Sequence, residues 1–284
     1  MKFRYFGTAA AEGWPAVFCE CDNCKRAAAS GGRNIRTRSQ ALVGGALLID
    51  LPADTYYHKL VHGLDLCAVT DVIITHDHGD HFYPAEIEMR LPPFALSAGG
   101  GNLHMMTFWA NERATETLNA LYGNTRLDWR VNRFVEVHAF EPFDAGGYRV
   151  TPLPANHDMS QHSLIYIIEG EGKRILYAHD TGYLMPEAWK YLAARKAAGD
   201  RPFDFVSLDC TDIMHDPKLR NGHMGFDTAA EVRDQLISEG LADKNAVFCL
   251  NHFSHNGVAT YDELLPLATA RGLLVSYDGM ELDI

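Results

Sequence analysis

Short apolar blocks alternate with turn residues along the whole chain, at the spacing expected of strands rather than of long helices. Residues 2–7, with Phe3, Tyr5 and Phe6, read as a first strand. Residues 41–51 form one apolar run, predicted as a single central strand ending at Asp50, and residues 69–75, with Val72, Ile73 and Ile74, predict another. Strands are expected at 134–140, 148–153, 163–168 and 174–178. Asp144-Ala145-Gly146-Gly147 and Glu169-Gly170-Glu171-Gly172 are the turns between them, so the middle of the chain reads as mostly antiparallel. Further strands at 203–209 and 246–250, and a last helix and strand within 263–277, alternate with helices. Helical spacing marks 84–90, 111–122, 186–198 and 226–238, and a short Ala-rich piece marks 26–30. Residues 91–111 hold Pro92, Pro93, three glycines, Met105, Met106, Phe108 and Trp109, and read equally well as a mobile apolar flap or as core. The pattern is that of an α/β protein.

Composition narrows this picture. With 284 residues and 47% hydrophobic content, the chain can bury a large core, and one domain over 1–284 is expected. No run reaches the roughly eighteen apolar residues of a membrane span, and the first residues lack a signal peptide's apolar region, so a cytoplasmic protein with no membrane partner is expected. The net charge of −12 is spread along the chain and works against nucleic-acid binding. A small substrate fits better; the assembly is left open between monomer and homodimer.

Candidate chemistry concentrates at 75–81, Thr-His-Asp-His-Gly-Asp-His, on the turn leaving the strand 69–75. Alternate residues of an extended segment point the same way, so His76 and His78 can converge on one cation while the turn at Gly79 aims Asp80 and His81 at a second. Imidazole mixed with carboxylate suits zinc, manganese or iron, not calcium or magnesium. A second cluster, Cys19, Cys21 and Cys24, lies in the poorly periodic stretch 8–38. It is too crowded for a disulfide framework and reads as three thiolates of a structural zinc, the fourth ligand coming from a distant segment. His157, Asp180, His252 and His255 follow apolar runs. His223, after Gly222, is placed at the start of the helix 226–238, where backbone N–H groups favour anions. Cys67, Cys210 and Cys249 are expected as buried thiols, and His162 and His215 as the unassigned histidines nearest the site.

The His-x-His-x-Asp-His motif, followed by His157, Asp180 and His252 across strand-rich halves, resembles the metallo-β-lactamase superfamily over nearly the whole chain. The resemblance implies a four-layer αβ/βα sandwich, two mixed sheets flanked by helices, with two divalent metals, zinc or manganese, at one edge. His76, His78 and His157 take one metal, Asp80, His81 and His252 the other; Asp180 bridges both along with a hydroxide, and Asp50 orients a ligand. The stretch from Gly7 through Glu12-Gly13-Trp14-Pro15 to Cys24, and the closing Asp278-Gly279-Met280-Glu281, look like the PhnP family of phosphoribosyl cyclic phosphate phosphodiesterases. That likeness implies that His255 completes the structural zinc and that His223 is catalytic, as proton donor or phosphoryl ligand. The implied activity is hydrolysis of a small cyclic phosphodiester. The same fold also serves thioester and lactam hydrolases, processing nucleases and PqqB-like cofactor-biosynthesis proteins.

Overall fold

The computed structural model describes residues 1–122, 130–215 and 222–284. Fourteen strands form two seven-stranded sheets. The first contains β1 (Lys2–Gly7), β2 (Gln40–Val43), β3 (Leu47–Ile49), β4 (Asp71–Ile73), β5 (Met106–Ala110), β6 (Asn132–Glu136) and β14 (Glu281–Asp283), in the order β14-β1-β2-β3-β4-β5-β6. The second contains β7 (Phe143–Ala145), β8 (Tyr148–Pro154), β9 (Leu164–Gly170), β10 (Lys173–Ala178), β11 (Phe203–Asp209), β12 (Ala242–Asn251) and β13 (Leu274–Val275), in the order β13-β12-β11-β10-β9-β8-β7. Each sheet is antiparallel in one half and parallel in the other, with the switches at β3 and β10.

Side-chain alternation builds the layers. Phe3, Tyr5, Ile49 and Ile73 of the first sheet meet Tyr166, Ile168, Tyr177 and Phe205 of the second in a buried core between the sheets. The alternate residues Phe6, Leu48, Val72 and Phe108 face outward and are covered by α3 (Ala85–Glu88) and α4 (Glu112–Tyr122), through Ile87, Ala114 and Leu118. α2 (Thr55–His62) lies on the same side, with His58 against Phe6. The outer face of the second sheet carries α1 (Asp22–Ser30), α5 (Pro186–Ala197), α6 (Phe226–Ser238) and α7 (Tyr261–Ala270). This is the expected αβ/βα sandwich.

Three readings from the sequence need correction. The apolar run 41–51 is a hairpin: Gly44 and Gly45 turn the chain with φ of 63° and 110°, and β2 pairs antiparallel with β3. A Cβ on Gly44 would lie 1.9 Å from Tyr148 Oη, so the turn also permits the second sheet to approach. Residues 91–111 divide between the two readings, since Met106 and Phe108 are buried in β5 while the loop before it covers an apolar cavity of about 580 Å³. Cys67 is exposed, whereas Cys210 and Cys249 are buried as expected.

Candidate metal centre

The site lies along one edge of the sandwich, where strands from both sheets end. β4 leads into His76 and His78, β8 into His157, β10 into Asp180 and β12 into His252. The motif strand is tied to the opposite sheet, because Leu164 N donates to Thr75 O (2.9 Å) and Tyr166 Oη to Ile74 O (2.6 Å). Three residues at these strand ends, Asp50, Asp180 and His252, are non-glycines with φ of 65°, 53° and 63°. Such backbone is costly and persists where the surroundings fix it; here β-sheet and loop hydrogen bonds hold all three carboxylate and imidazole groups at the same edge.

Among the described residues three donor groups share the Asp180 carboxylate, one of them made of Asp180, Asp209, His223 and His252. Potential ligand atoms of His76, His78, His157 and Asp180 all lie within 4.8 Å of one another, as do those of Asp80, His81, Asp180 and His252. Asp180 Oδ2 stands 3.2 Å from His76 Nε2, 3.1 Å from His81 Nε2 and 3.6 Å from His157 Nε2. His76 Nε2 is 2.9 Å from His78 Nδ1, and His81 Nε2 is 3.1 Å from both Asp80 Oδ2 and His252 Nε2. The turn that carries Asp80 and His81 closes by His81 N donating to His78 O (2.9 Å), and Gly79 has no positive φ, so hydrogen bonding rather than glycine geometry re-aims the chain.

The far nitrogens of these rings are fixed by neighbours. Asp50 Oδ2 lies 2.7 Å from His81 Nδ1 and its other oxygen accepts from Thr75 N (2.8 Å). Thr211 Oγ1 is 2.8 Å from His252 Nδ1, with Asp209 Oδ2 3.5 Å away, and Gly222 O is 3.1 Å from His157 Nδ1. Each contact leaves Nε2 for the shared centre, as partners behind metal-ligating histidines do.

The electrostatics fit divalent ions. Burial and the neighbouring His81 push His76 down to about 4, so its ring is neutral. Burial works against charge on Asp80, but His81 beside it holds the carboxyl well below its usual range. His81 moves the other way: burial opposes its protonation, but the charges of Asp80 and Asp50 outweigh this and hold its proton affinity well above the ordinary value. Positive charge is thus demanded between Asp80 and Asp180, at the place where a cation has carboxylate and imidazole donors on every side. Ionised carboxylates and the neutral ring of His76 are ligand states that metals require, and a cation binding here would displace the proton of His81.

His223 lies two residues before Gly225, the cap of α6, and not in the helix itself. Its Nδ1 is 3.0 Å from Asp180 Oδ1 and 3.5 Å from Asp209 Oδ2. Burial lowers its proton affinity, but the two carboxylates outweigh this and raise it to about 11. A cavity of about 310 Å³ opens over the centre, bounded by His78, Asp80, His157, His223 and His252 together with Glu12, Asp212 and Asn256. His162 borders a separate cavity and His215 is exposed, so neither reaches this one.

The second cluster also assembles. Cys19, Cys21, Cys24 and His255 present ligand atoms within 4.8 Å of one another, with His255 Nδ1 3.7 Å from Cys19 Sγ and 3.4 Å from Cys21 Sγ. A zinc tetrahedron with bonds of about 2.3 Å has edges of about 3.8 Å, which matches. Cys21 caps α1 by accepting from Cys24 N, and this bond, with the His255 ring, lowers it to about 6; burial raises Cys24 to about 11. The cap explains why α1 begins at Asp22, earlier than the Ala-rich piece suggested.

Sequence reasoning missed Thr211 and Glu12 and treated Asp209 only as a strand end. Asp209 had a signal, since it ends a parallel strand as Asp50 ends β3.

A comparison with curated proteins finds no significant match. Among solved structures the chain is similar to a diphosphatase from the PhnP family, at 20% identity and a TM-score of 0.74, over 100% of this chain and 97% of that one. It is also similar to Zn(2+)-bound PqqB from Methylobacterium extorquens (19%, 0.68, 100% of each chain) and to the short form of human tRNase Z (16%, 0.63, 100% and 99%). At these identities the likeness establishes the fold, which implies divalent metals. Residues 52–242, more than half of the chain, match the family model described as the beta-lactamase superfamily domain, and with the sandwich and its edge-on histidine and aspartate clusters in place, the chain belongs to that superfamily of metal-dependent hydrolases.

Proposed function

We propose that the protein is a binuclear phosphodiesterase acting on a small, cyclic phosphodiester. The observation that carries this reading is the single oxygen of Asp180 set between two complete donor groups. His76, His78 and His157 hold one ion, zinc or manganese, and Asp80, His81 and His252 the other; Cys19, Cys21, Cys24 and His255 hold a structural zinc. When bound, paired ions lower the pKa of water and neutralise phosphoryl oxygens.

The chain's own residues supply the rest. Asp50, Asp209 and Thr211 hold the rings of His81 and His252, on which the second ion site depends, and Gly222 O holds that of His157 in the first. His223 borders the cavity with Nδ1 committed to Asp180 and Asp209, so Nε2 is the nitrogen that gives a proton to the departing alkoxide. Walls carrying Glu12 and Asp212 suit a small ester better than a polyanionic nucleic acid.

Metal analysis combined with hydrolysis of bis-para-nitrophenyl phosphate tests the reading. Demetallated protein is expected to be inactive and to recover with two equivalents of zinc or manganese beyond the structural zinc. Recovery with one equivalent, or hydrolysis of a thioester or lactam but of no phosphodiester, would overturn it.

A further inference from the structure

The loop leaving β1 runs beside the end of β12, with Ala10 N donating to Phe253 O (3.0 Å) and Phe253 N to Thr8 O (2.9 Å). It carries Glu12 to the cavity over the two donor groups, where the side chain is 30% exposed. Two neighbours hold one oxygen. Ser254 Oγ donates to Glu12 Oε1, and His255 Nε2 is 3.6 Å from the same atom, while the other ring nitrogen of His255 faces the cysteine cluster. Among the described residues Oε2 has no hydrogen-bond partner. The carboxylate is therefore held by Ser254, beside the His255 of the cysteine cluster, yet keeps one acceptor for whatever enters the cavity. Asp212 and Asn256 border the same cavity, and among the described residues no Lys or Arg lines it.

We infer that Glu12 is a specificity-determining residue that selects esters whose sugar or polyol portion offers a hydroxyl to Oε2, against esters carrying a second phosphate. The inference rests on the phosphodiesterase reading. With the reacting phosphoryl group at the donor clusters, the remainder of a small substrate shares the cavity with Glu12. A hydroxyl there gains a charge-assisted hydrogen bond, as ribose hydroxyls do from acidic residues in nucleotide sites. A second phosphate meets Glu12 instead, and like charges in a confined site reject a ligand as effectively as good contacts attract one.

The test compares kcat/KM of the metal-loaded full chain on a nucleoside 2′,3′-cyclic phosphate with a free 5′-hydroxyl, the same compound 5′-phosphorylated, bis-para-nitrophenyl phosphate and para-nitrophenylphosphorylcholine. The wild type is expected to favour the free hydroxyl over its 5′-phosphate at least about tenfold. Glu12→Ala should lower the ratio of the cyclic phosphate to bis-para-nitrophenyl phosphate by about ten- to a hundredfold, and Glu12→Gln should narrow the discrimination against the 5′-phosphate. Zinc content is measured in each variant; if Glu12→Ala loses zinc, Glu12→Gln, which keeps the side chain's size, carries the test. Unchanged ratios in zinc-replete variants would overturn the role of Glu12 alone, as would a choline ester preferred over the hydroxyl ester. Hydrolysis of none of the four esters by the wild type would overturn the phosphodiesterase reading and Glu12 with it.

Discussion

Asp180 holds together interactions that no other residue can replace. One oxygen lies between the two donor groups and the other faces His223, all at a backbone φ of 53°. Asp180→Ala should remove phosphodiesterase activity by about a thousandfold or more while leaving the circular dichroism spectrum unchanged, because it empties the shared position and touches no core packing. Asp80→Ala should do the same through one ion site. Activity surviving either change within a few-fold would show that two metals are not needed. His223 is expected to behave differently, since its Nδ1 contacts carboxylates rather than completing either group of three. His223→Ala should retain full metal content by elemental analysis and lose about a hundred- to ten-thousandfold in rate, with a larger loss for an alkoxide than for a nitrophenolate leaving group. Equal losses would assign His223 to phosphoryl binding, and loss of an ion would make it a ligand. The ligands were legible in the sequence because six consecutive residues carry four of them and apolar runs announce the others. Thr211 and Glu12 were not, because an orienting residue needs only one contact and a lone Thr or Glu has no periodicity or spacing to reveal it; Asp209 had only its place at a strand end.

At the scale of elements, the strands and helices that follow period alone came through with bounds shifted by a few residues; those set by tertiary contact did not. Residues 41–51 look like one buried strand, since Gly44 and Gly45 interrupt the run without any polar turn residue, and the place of Gly44 is required by the close approach of Tyr148 from the other sheet. Gly44→Ala tests this. Its φ of 63° is unfavourable for alanine and its Cβ would meet Tyr148 Oη, which is engaged with Glu171 at 2.6 Å, so neither atom yields freely. A loss of about 2–3 kcal/mol is expected, read from the midpoint of urea unfolding, and a change under 0.5 kcal/mol would mean that the two sheets do not meet there as closely as described. β14 escaped notice for a related reason: three residues next to β1 hold a strand only through their partner, with Lys2, Phe3 and Arg4 opposite Asp283, Leu282 and Glu281.

The whole molecule is closed by contacts between residues far apart in sequence, and the cysteine cluster is the one that reaches the site. Cys19, Cys21 and Cys24 lie in the loop 8–38, while His255 follows His252 by three residues, so a zinc held by this group fixes the N-terminal loop against the strand end that supplies a ligand to the centre. The sequence identified the three thiolates but could not choose the fourth ligand by spacing, because proximity across the fold is invisible to local pattern. Three thiolates and an imidazole bind zinc more tightly than mixed imidazole and carboxylate groups, so graded chelation should strip the centre first and abolish activity while one zinc per chain remains. Cys21→Ser should then lower the thermal midpoint by roughly 10 °C, consistent with several kcal/mol in a chain of this size, because it removes a zinc thiolate while its hydroxyl can still cap α1. The order of loss is the decisive measurement. If the last zinc to leave is the one whose removal ends catalysis, or if an anomalous map of chelator-free protein shows no metal between Cys21 and His255, the loop is held by packing alone, and the cavity wall carrying Glu12 would be independent of metal.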